Sequence, residues 1–218
     1  MRQTTNKNLT KQILTLALAF VMVFTGMGIG SWGVDTAWAT GGSESTPTSR
    51  VWDGTATTAP QTDENGVYQI GTGAELAWFA GLVNGTLKDG TTQNQSASAV
   101  LTNDIDLGSQ EWTPIGNKTT PFKGSIDGQN HRIRNLSITQ GSKYLAFIGY
   151  AEGSKIQNLT VDGEINIANA TSIMAVAGIV AYFNQAYEVI NCVNEVNITL
   201  SKIELSSNES KSLFVGGI

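Results

Sequence analysis

Three short segments of this chain nearly repeat one another: Ile133-Arg134-Asn135-Leu136-Ser137-Ile138, Ile156-Gln157-Asn158-Leu159-Thr160-Val161 and Val189-Ile190-Asn191-Cys192-Val193-Asn194. Their asparagines at 135, 158 and 191 are 23 and 33 positions apart. Units of this length, rich in β-branched residues, are typical of a solenoid, in which each unit buries its apolar face against its neighbours. We expect Asn135, Asn158 and Asn191 to form a structural ladder, each amide bonding the next.

The β pattern extends outward from these segments over residues 99–218, which we interpret as β-solenoid repeats. Phe147-Ile148-Gly149 and Gly178-Ile179-Val180 each precede an asparagine of the repeat. The last residues, 213–218, begin the same segment again without the Ile-x-Asn unit that should follow. We therefore expect the repeats to be truncated at the C-terminus, with the native product continuing into further repeats, an anchor or a catalytic domain.

One helix is predicted ahead of the repeats, within a region 67–98 that also holds a strand and a loop. Thr72 and Glu75 have the spacing of a capping box. Leu76, Phe79, Ala80 and Val83 then form one apolar stripe, and Asn84-Gly85 ends the helix. Such a helix would cover the first coil, whose unpaired strand edges would otherwise favour aggregation.

The N-terminal residues 1–39 have the pattern of a secretory signal peptide. Arg2, Lys7 and Lys11 precede an uncharged, mostly apolar stretch, and Ala37-Trp38-Ala39 is a small-residue cleavage site before Thr40. A membrane anchor is the alternative. Residues 40–66 are rich in Gly, Ser and Thr and are predicted to be a flexible leader, in which Trp52 either pins the leader to the domain or starts an early strand.

Composition narrows the class of protein. With 13 Lys and Arg against 18 Asp and Glu, the chain has a formal net charge of −5. An acidic chain without a basic cluster argues against nucleic acid and against anionic membrane surfaces. Cys192 is the single cysteine, so no disulfide forms within the chain, which favours a bacterial exported protein. Within its apolar repeat, Cys192 is interpreted as a small buried hydrophobe.

Residues 68–218 resemble the GLUG-type repeat region of bacterial surface proteins. The same region is similar to stretches beside the catalytic part of IgA-cleaving metallopeptidases and in adhesin-like cell-wall proteins. The resemblance rests on the helix, on the Ile-x-Asn-Leu units and on the runs 101–107, 112–116 and 122–133. The Gly-Leu-apolar-Gly signature occurs in degenerate form at 146–149 and 178–181. This resemblance implies a right-handed parallel β-helix, whereas the spacing alone also allows another β-solenoid.

Few residues are candidates for chemistry. His131 is the only histidine and lies in a predicted turn, and the chain has neither a His-Glu-x-x-His motif nor a phosphate-binding glycine loop. We therefore expect no catalytic, cofactor or zinc site. Asp104, Asp106 and Asp127 are weak candidates for a carboxylate cluster, which could serve as general acid and base or bind Ca²⁺. The favoured interpretation is a solvated face together with a turn aspartate.

These patterns favour an all-β, secreted or cell-surface module of a larger bacterial protein, with a role in adhesion, binding or structural display. Its expected partners are host or bacterial glycans or surface proteins, with no nucleic acid and no membrane contact beyond the signal peptide. A carbohydrate-active β-helix enzyme and a non-catalytic accessory region of a surface peptidase are the alternatives. Converging carboxylates beside an aromatic platform would favour the enzyme.

Overall fold

The computed structural model of the chain describes residues 51–141, 143–168, 173–202 and 213–217. These residues form a β-solenoid of about four turns with one short helix. This confirms the predicted fold class as an all-β chain that forms a β-solenoid. The predicted signal peptide 1–39 and residues 40–50 of the predicted leader lie outside the described residues, as do residues 203–212 of the repeat region.

Each coil contributes strands to sheets that run along the solenoid. The described strands form four such sheets. All strand pairs within them are parallel, apart from the antiparallel pair of Gln61–Thr62 with Tyr68–Ile70. Neighbouring coils therefore stack with a spacing of about 4.8 Å.

The strands are short. Those of the first sheet are β1 Gln61–Thr62, β2 Tyr68–Ile70, β3 Ala99–Leu101, β5 Ser125–Asp127, β9 Lys155–Gln157 and β13 Glu188–Ile190. Those of the second are β4 Ile105–Asp106, β6 Arg132–Ile138, β10 Thr160–Ile167 and β14 Val193–Leu200. The third and fourth contain β7 Tyr144–Leu145, β11 Ala175–Val176, β15 Phe214–Val215, β8 Ile148–Glu152 and β12 Val180–Asn184.

The core lies inside the coils and is built by stacking like on like. In the first sheet Ile126 is in register with Ile156, which is in register with Val189. In the second, Ile133 lies between Ile105 and Val161. Strand side chains alternate between the two faces, so each coil adds one layer of branched apolar residues to the interior and leaves a polar outer face.

This register corrects the repeat alignment read from the sequence. The segment 133–138 lies within β6 of the second sheet, whereas 156–161 and 189–194 cross from the first sheet to the second. The true counterpart of Ile156 in the preceding coil is Ile126. The reason is a longer turn in that coil: six residues separate Ile126 from Ile133, but only four separate Ile156 from Val161.

The predicted helix is confirmed as α1, Gly73–Asn84. The Thr72 hydroxyl accepts a hydrogen bond from the Glu75 amide at 3.2 Å, and the Glu75 carboxylate accepts one from the Thr72 amide at 3.0 Å. Gly85 ends the helix with a φ of 70°, a left-handed conformation that costs glycine little.

Helix α1 lies across the coil formed by residues 99–124. Near its start, Gly73 lies against Trp52 and the Asp106 carbonyl. At its end, the Asn84 amide donates to the Pro114 carbonyl at 3.0 Å, and its oxygen accepts from the Gly116 amide at 2.8 Å. The two ends of the helix are thus held against this coil by packing and by hydrogen bonds.

The flexible leader predicted for residues 40–66 is wrong for its second half. Val51 pairs in parallel with Asp106, and β1 pairs with β2. Trp52 is only 9% exposed and packs edge-on against Trp112, with ring centroids 6.0 Å apart. Burial of this large aromatic side chain stabilises the packing of the segment against the coils. Residues 51–66 therefore belong to the folded unit.

Candidate polar ladder and tyrosine cluster

Two of the three predicted ladder asparagines lie together. The side-chain amide of Asn191 donates to the Asn158 oxygen at 3.0 Å, and the Asn158 amide donates to Asp127 Oδ1 at 3.0 Å. Gln157 donates to the other Asp127 oxygen at 2.6 Å. Asn158 and Asn191 have positive φ values of 53° and 51°, a conformation that asparagine adopts more readily than most residues. We name Asp127, Asn158 and Asn191 the Asx ladder.

Asn135 is not part of this ladder, which corrects the prediction. It lies in β6, where the pairing of β6 with β10 shifts register between Val161 and Gly163. Its side-chain amide donates to Asp106 at 2.8 Å, and its backbone amide donates to Asp162 at 3.0 Å. Asn135 therefore donates hydrogen bonds to both neighbouring coils at a β-bulge of the second sheet.

Asp127 anchors the Asx ladder as a carboxylate. Partial desolvation acts to raise the pKa of Asp127, but hydrogen bonds from the Gln129 backbone and from the Asn158 and Gln157 side chains outweigh it. The net result is a pKa below the ordinary aspartate value. Asp127 therefore remains ionised at neutral pH and accepts bonds from two successive coils.

Asp104 lies in a different, exposed network on the second sheet. One carboxylate oxygen accepts from the Arg132 backbone amide at 3.1 Å and lies 3.2 Å from His131 Nδ1. The other accepts from the Arg134 guanidinium at 2.8 Å. The Arg132 amide is the main cause that lowers the pKa of Asp104, with His131 and Arg134 adding to it. The His131 side chain thus contacts the preceding coil, while its backbone amide donates to the Gly128 carbonyl at 2.7 Å.

The three aspartates have different hydrogen-bond partners. Asp106 accepts from the Gly108 amide at 2.8 Å and from the Asn135 side chain at 2.8 Å. Across the described ranges no group of three or more His, Cys, Asp or Glu side chains is arranged to hold a metal ion. Each of the three aspartates accepts hydrogen bonds from the next coil, and Asp106 and Asp127 also accept from their own turns.

Cys192 lies beside the Asx ladder and is half-buried against the core. Its Sγ lies 3.4 Å from the Ile190 carbonyl and 3.7 Å from that of Ile156. Burial is the main cause that raises the pKa of the Cys192 thiol. The side chain therefore remains a neutral thiol near pH 7, as expected for a small hydrophobe in the repeat.

A cluster of tyrosines on the outer side of the fourth sheet was missed by the sequence analysis. Tyr150 and Tyr182 are in register on β8 and β12 and stack with ring centroids 4.9 Å apart. Tyr144 packs on both rings, at 5.1 Å from Tyr150 and 5.4 Å from Tyr182. Tyr144 and Tyr150 belong to a small apolar cluster separate from the main core. We name these three residues the tyrosine cluster.

The tyrosine cluster combines burial with one accessible ring. Tyr144 and Tyr150 are each 7% exposed, whereas Tyr182 is 38% exposed. Desolvation is the main cause that raises the pKa of Tyr150. The only local signal in the sequence was a tyrosine two residues after Ile148 and another two residues after Val180. Tyr144 has no comparable counterpart, so the cluster emerges only from the coil register.

Hydrogen-bonding groups lie at the edge of this cluster. Glu152 follows Tyr150 on the same strand and is in register with Asn184. Its carboxylate pairs with the Lys123 ammonium at 3.4 Å and accepts from the Gln185 amide at 3.3 Å. An aromatic surface thus borders a set of paired donors and acceptors on one face of the solenoid.

Comparisons with protein-family models, with curated proteins and with solved structures found no match. Among the described residues, no helix is both long enough and apolar enough to cross a membrane.

Proposed function

We propose that this chain is a β-solenoid module of a secreted or cell-surface bacterial protein, and that it binds or displays rather than catalyses. The observation that carries the proposal is the separate engagement of the three candidate carboxylates. Asp104, Asp106 and Asp127 each accept hydrogen bonds from their own turn or from stacked coils. An acid–base pair needs carboxyl groups that converge on one bond of a substrate.

The architecture supports a role as a surface for contact. Stacked coils present extended outer faces that partners can bind without any change in the interior. The second sheet presents a mixed ionic face, on which the Arg132 guanidinium pairs with Glu195 and lies 3.6 Å from Asp162. Such faces are suited to glycans or to surface proteins, the partners that the sequence suggests.

Export is supported by the N-terminal sequence. Its basic start, apolar stretch and Ala37-Trp38-Ala39 site are the features that a signal peptidase recognises. The GLUG-type resemblance of residues 68–218 is in line with a bacterial cell surface and with a right-handed coil. An accessory role beside a peptidase domain fits the same features.

The test is export of the full chain from a bacterial host, with N-terminal sequencing of the product. We expect the protein in the medium or at the cell surface, starting at Thr40, with an Ala39→Leu variant processed poorly. Retention of the unprocessed wild-type chain in the cytoplasm would remove the proposal.

A further inference from the structure

We propose that Asn65, in the turn between β1 and β2, is a site of spontaneous deamidation, and that its conversion loosens this hairpin. The modification lies outside the binding role proposed above, and water is its only co-reactant. The chain contains two Asn-Gly dipeptides, Asn65-Gly66 and Asn84-Gly85. The first lies in an exposed turn, whereas the second is held at the end of α1.

The reaction forms a ring between the asparagine side chain and the following backbone nitrogen. The nitrogen of Gly66, after losing its proton, attacks Cγ of Asn65, and the new N–Cγ bond replaces the Cγ–Nδ2 bond. The Nδ2 group takes up a proton from solvent and leaves as ammonia. Water then opens the cyclic imide: attack at Cγ gives aspartate, and attack at the main-chain carbonyl gives isoaspartate, whose backbone runs through Cγ.

The surroundings of Asn65 leave this reaction open. Apart from the chain neighbours, no atom lies within 4 Å of the place where a Cβ on Gly66 would stand, so the attacking nitrogen is unhindered. Within the described ranges, the only hydrogen bond of Asn65 is that of its backbone amide, which donates to Asp63 Oδ1 at 2.9 Å. The attack must break the bond from the Gly66 amide to the Asp63 carbonyl, at 3.1 Å. An exposed turn bond of this kind opens locally at little cost.

Asn84-Gly85 is the same dipeptide in a protected position. The Asn84 side-chain amide donates to the Pro114 carbonyl at 3.0 Å, and its oxygen accepts from the Gly116 amide at 2.8 Å. The Gly85 amide donates to the Gly81 carbonyl in the last turn of α1. Both the attacking nitrogen and the attacked side chain are thus held, so the end of the helix must open before the reaction can begin.

Conversion of Asn65 changes the turn that joins β1 to β2. Among the described strands, β1 pairs with β2 alone. The Asp63 carboxylate holds the turn by accepting from the amides of Asn65 and Val67, each at 2.9 Å. An aspartate at 65 places a third carboxylate next to Asp63 and Glu64, and an isoaspartate adds a backbone carbon between the two donating amides. Both products disfavour the turn, so β1 should separate from β2 more often.

The test is mass spectrometry of the full chain after incubation at neutral and at mildly alkaline pH. Digestion after glutamate places Asn65 in the peptide 65–75 and Asn84 in the peptide 76–111, and fragmentation of each peptide assigns the modified residue. In the folded chain we expect Asn65 to convert at least about tenfold faster than Asn84. The rate should rise with pH, because the attacking nitrogen must lose its proton.

The same chain unfolded in guanidinium chloride is the matched control. Without the contacts of the helix end, Asn84 should convert within about threefold of the rate at Asn65. Asn65→Gln keeps a side-chain amide, but its longer side chain disfavours ring closure, so this variant should stay unmodified through the same incubation. Hydrogen exchange over residues 61–70 should then be faster in converted wild type than in incubated Asn65→Gln.

Equal conversion of Asn65 and Asn84 in the folded chain would overturn the inference. An unchanged Asn65 in the folded chain, after a time in which the unfolded chain has converted, would overturn it as well. Unchanged hydrogen exchange over 61–70 in converted wild type would overturn the effect on the hairpin. Export and processing are measured separately, so failure here and failure of the proposed function are distinguishable.

Discussion

At the scale of single residues, the Asx ladder gives the clearest account of how side chains hold successive coils together. Asp127, Asn158 and Asn191 come from three coils and are joined by side-chain bonds of 3.0 Å. The sequence revealed Asn158 and Asn191 because both follow an aliphatic residue at the same offset. It did not reveal Asp127, which is in register with Gln157 rather than with Asn158. Asn135 has the same sequence pattern but lies at a β-bulge.

Asn158→Ala should destabilise the fold by about 1–3 kcal/mol, because both neighbours in the Asx ladder lose a partner. Asn158 also has a φ of 53°, a conformation that alanine adopts poorly. Asn158→Gly removes the same side-chain bonds without that strain, so it should destabilise less than alanine does. Urea unfolding measures both changes, and an alanine variant within about 0.5 kcal/mol of wild type would contradict a structural role for the ladder.

At the scale of elements, the sequence predicts structures that are determined by adjacent residues. It does not predict how coils with turns of different length align with one another. Helix α1 could be predicted because its caps and its apolar stripe lie within 14 consecutive residues, from 72 to 85. The coils differ in length: the registered positions Ala99, Ile126, Ile156 and Val189 are 27, 30 and 33 residues apart. No fixed period aligns such repeats. The tyrosine cluster was missed for the same reason, since its members meet only after the coils are in register.

Deletion of residues 74–84 should cause aggregation, because α1 covers apolar side chains of the first coil. Phe79 packs edge-on against Phe122 at 6.2 Å, and both are fully buried. Without the helix, that apolar surface and the neighbouring strand edges become accessible to other chains. Size-exclusion chromatography with thermal unfolding measures the effect. A deletion variant that stays monomeric and unfolds at the wild-type temperature would show that α1 has no covering role.

At the scale of the whole molecule, stability comes from the repetition of one layer rather than from a single compact centre. The pairing of β10 with β14 extends over eight registered positions, from Thr160 with Val193 to Ile167 with Leu200. Each further coil adds a layer of this kind, so stability is expected to sum over neighbouring coils. The side chains on the outer faces also depend on the register between neighbouring strands. If a strand shifted by one residue, its outward side chains would point into the core.

The most direct test of the parallel stack is an engineered disulfide between two registered, exposed positions in a Cys192→Ser background. Glu164 and Asn197 face each other across β10 and β14, at a separation of about 5 Å that a disulfide can span. Glu164→Cys with Asn197→Cys should oxidise rapidly within one chain, whereas Glu164→Cys with Thr199→Cys, two positions out of register, should not. Mass spectrometry after mild oxidation gives the readout. A cross-link that forms only in the second pair would contradict the stacking of these coils.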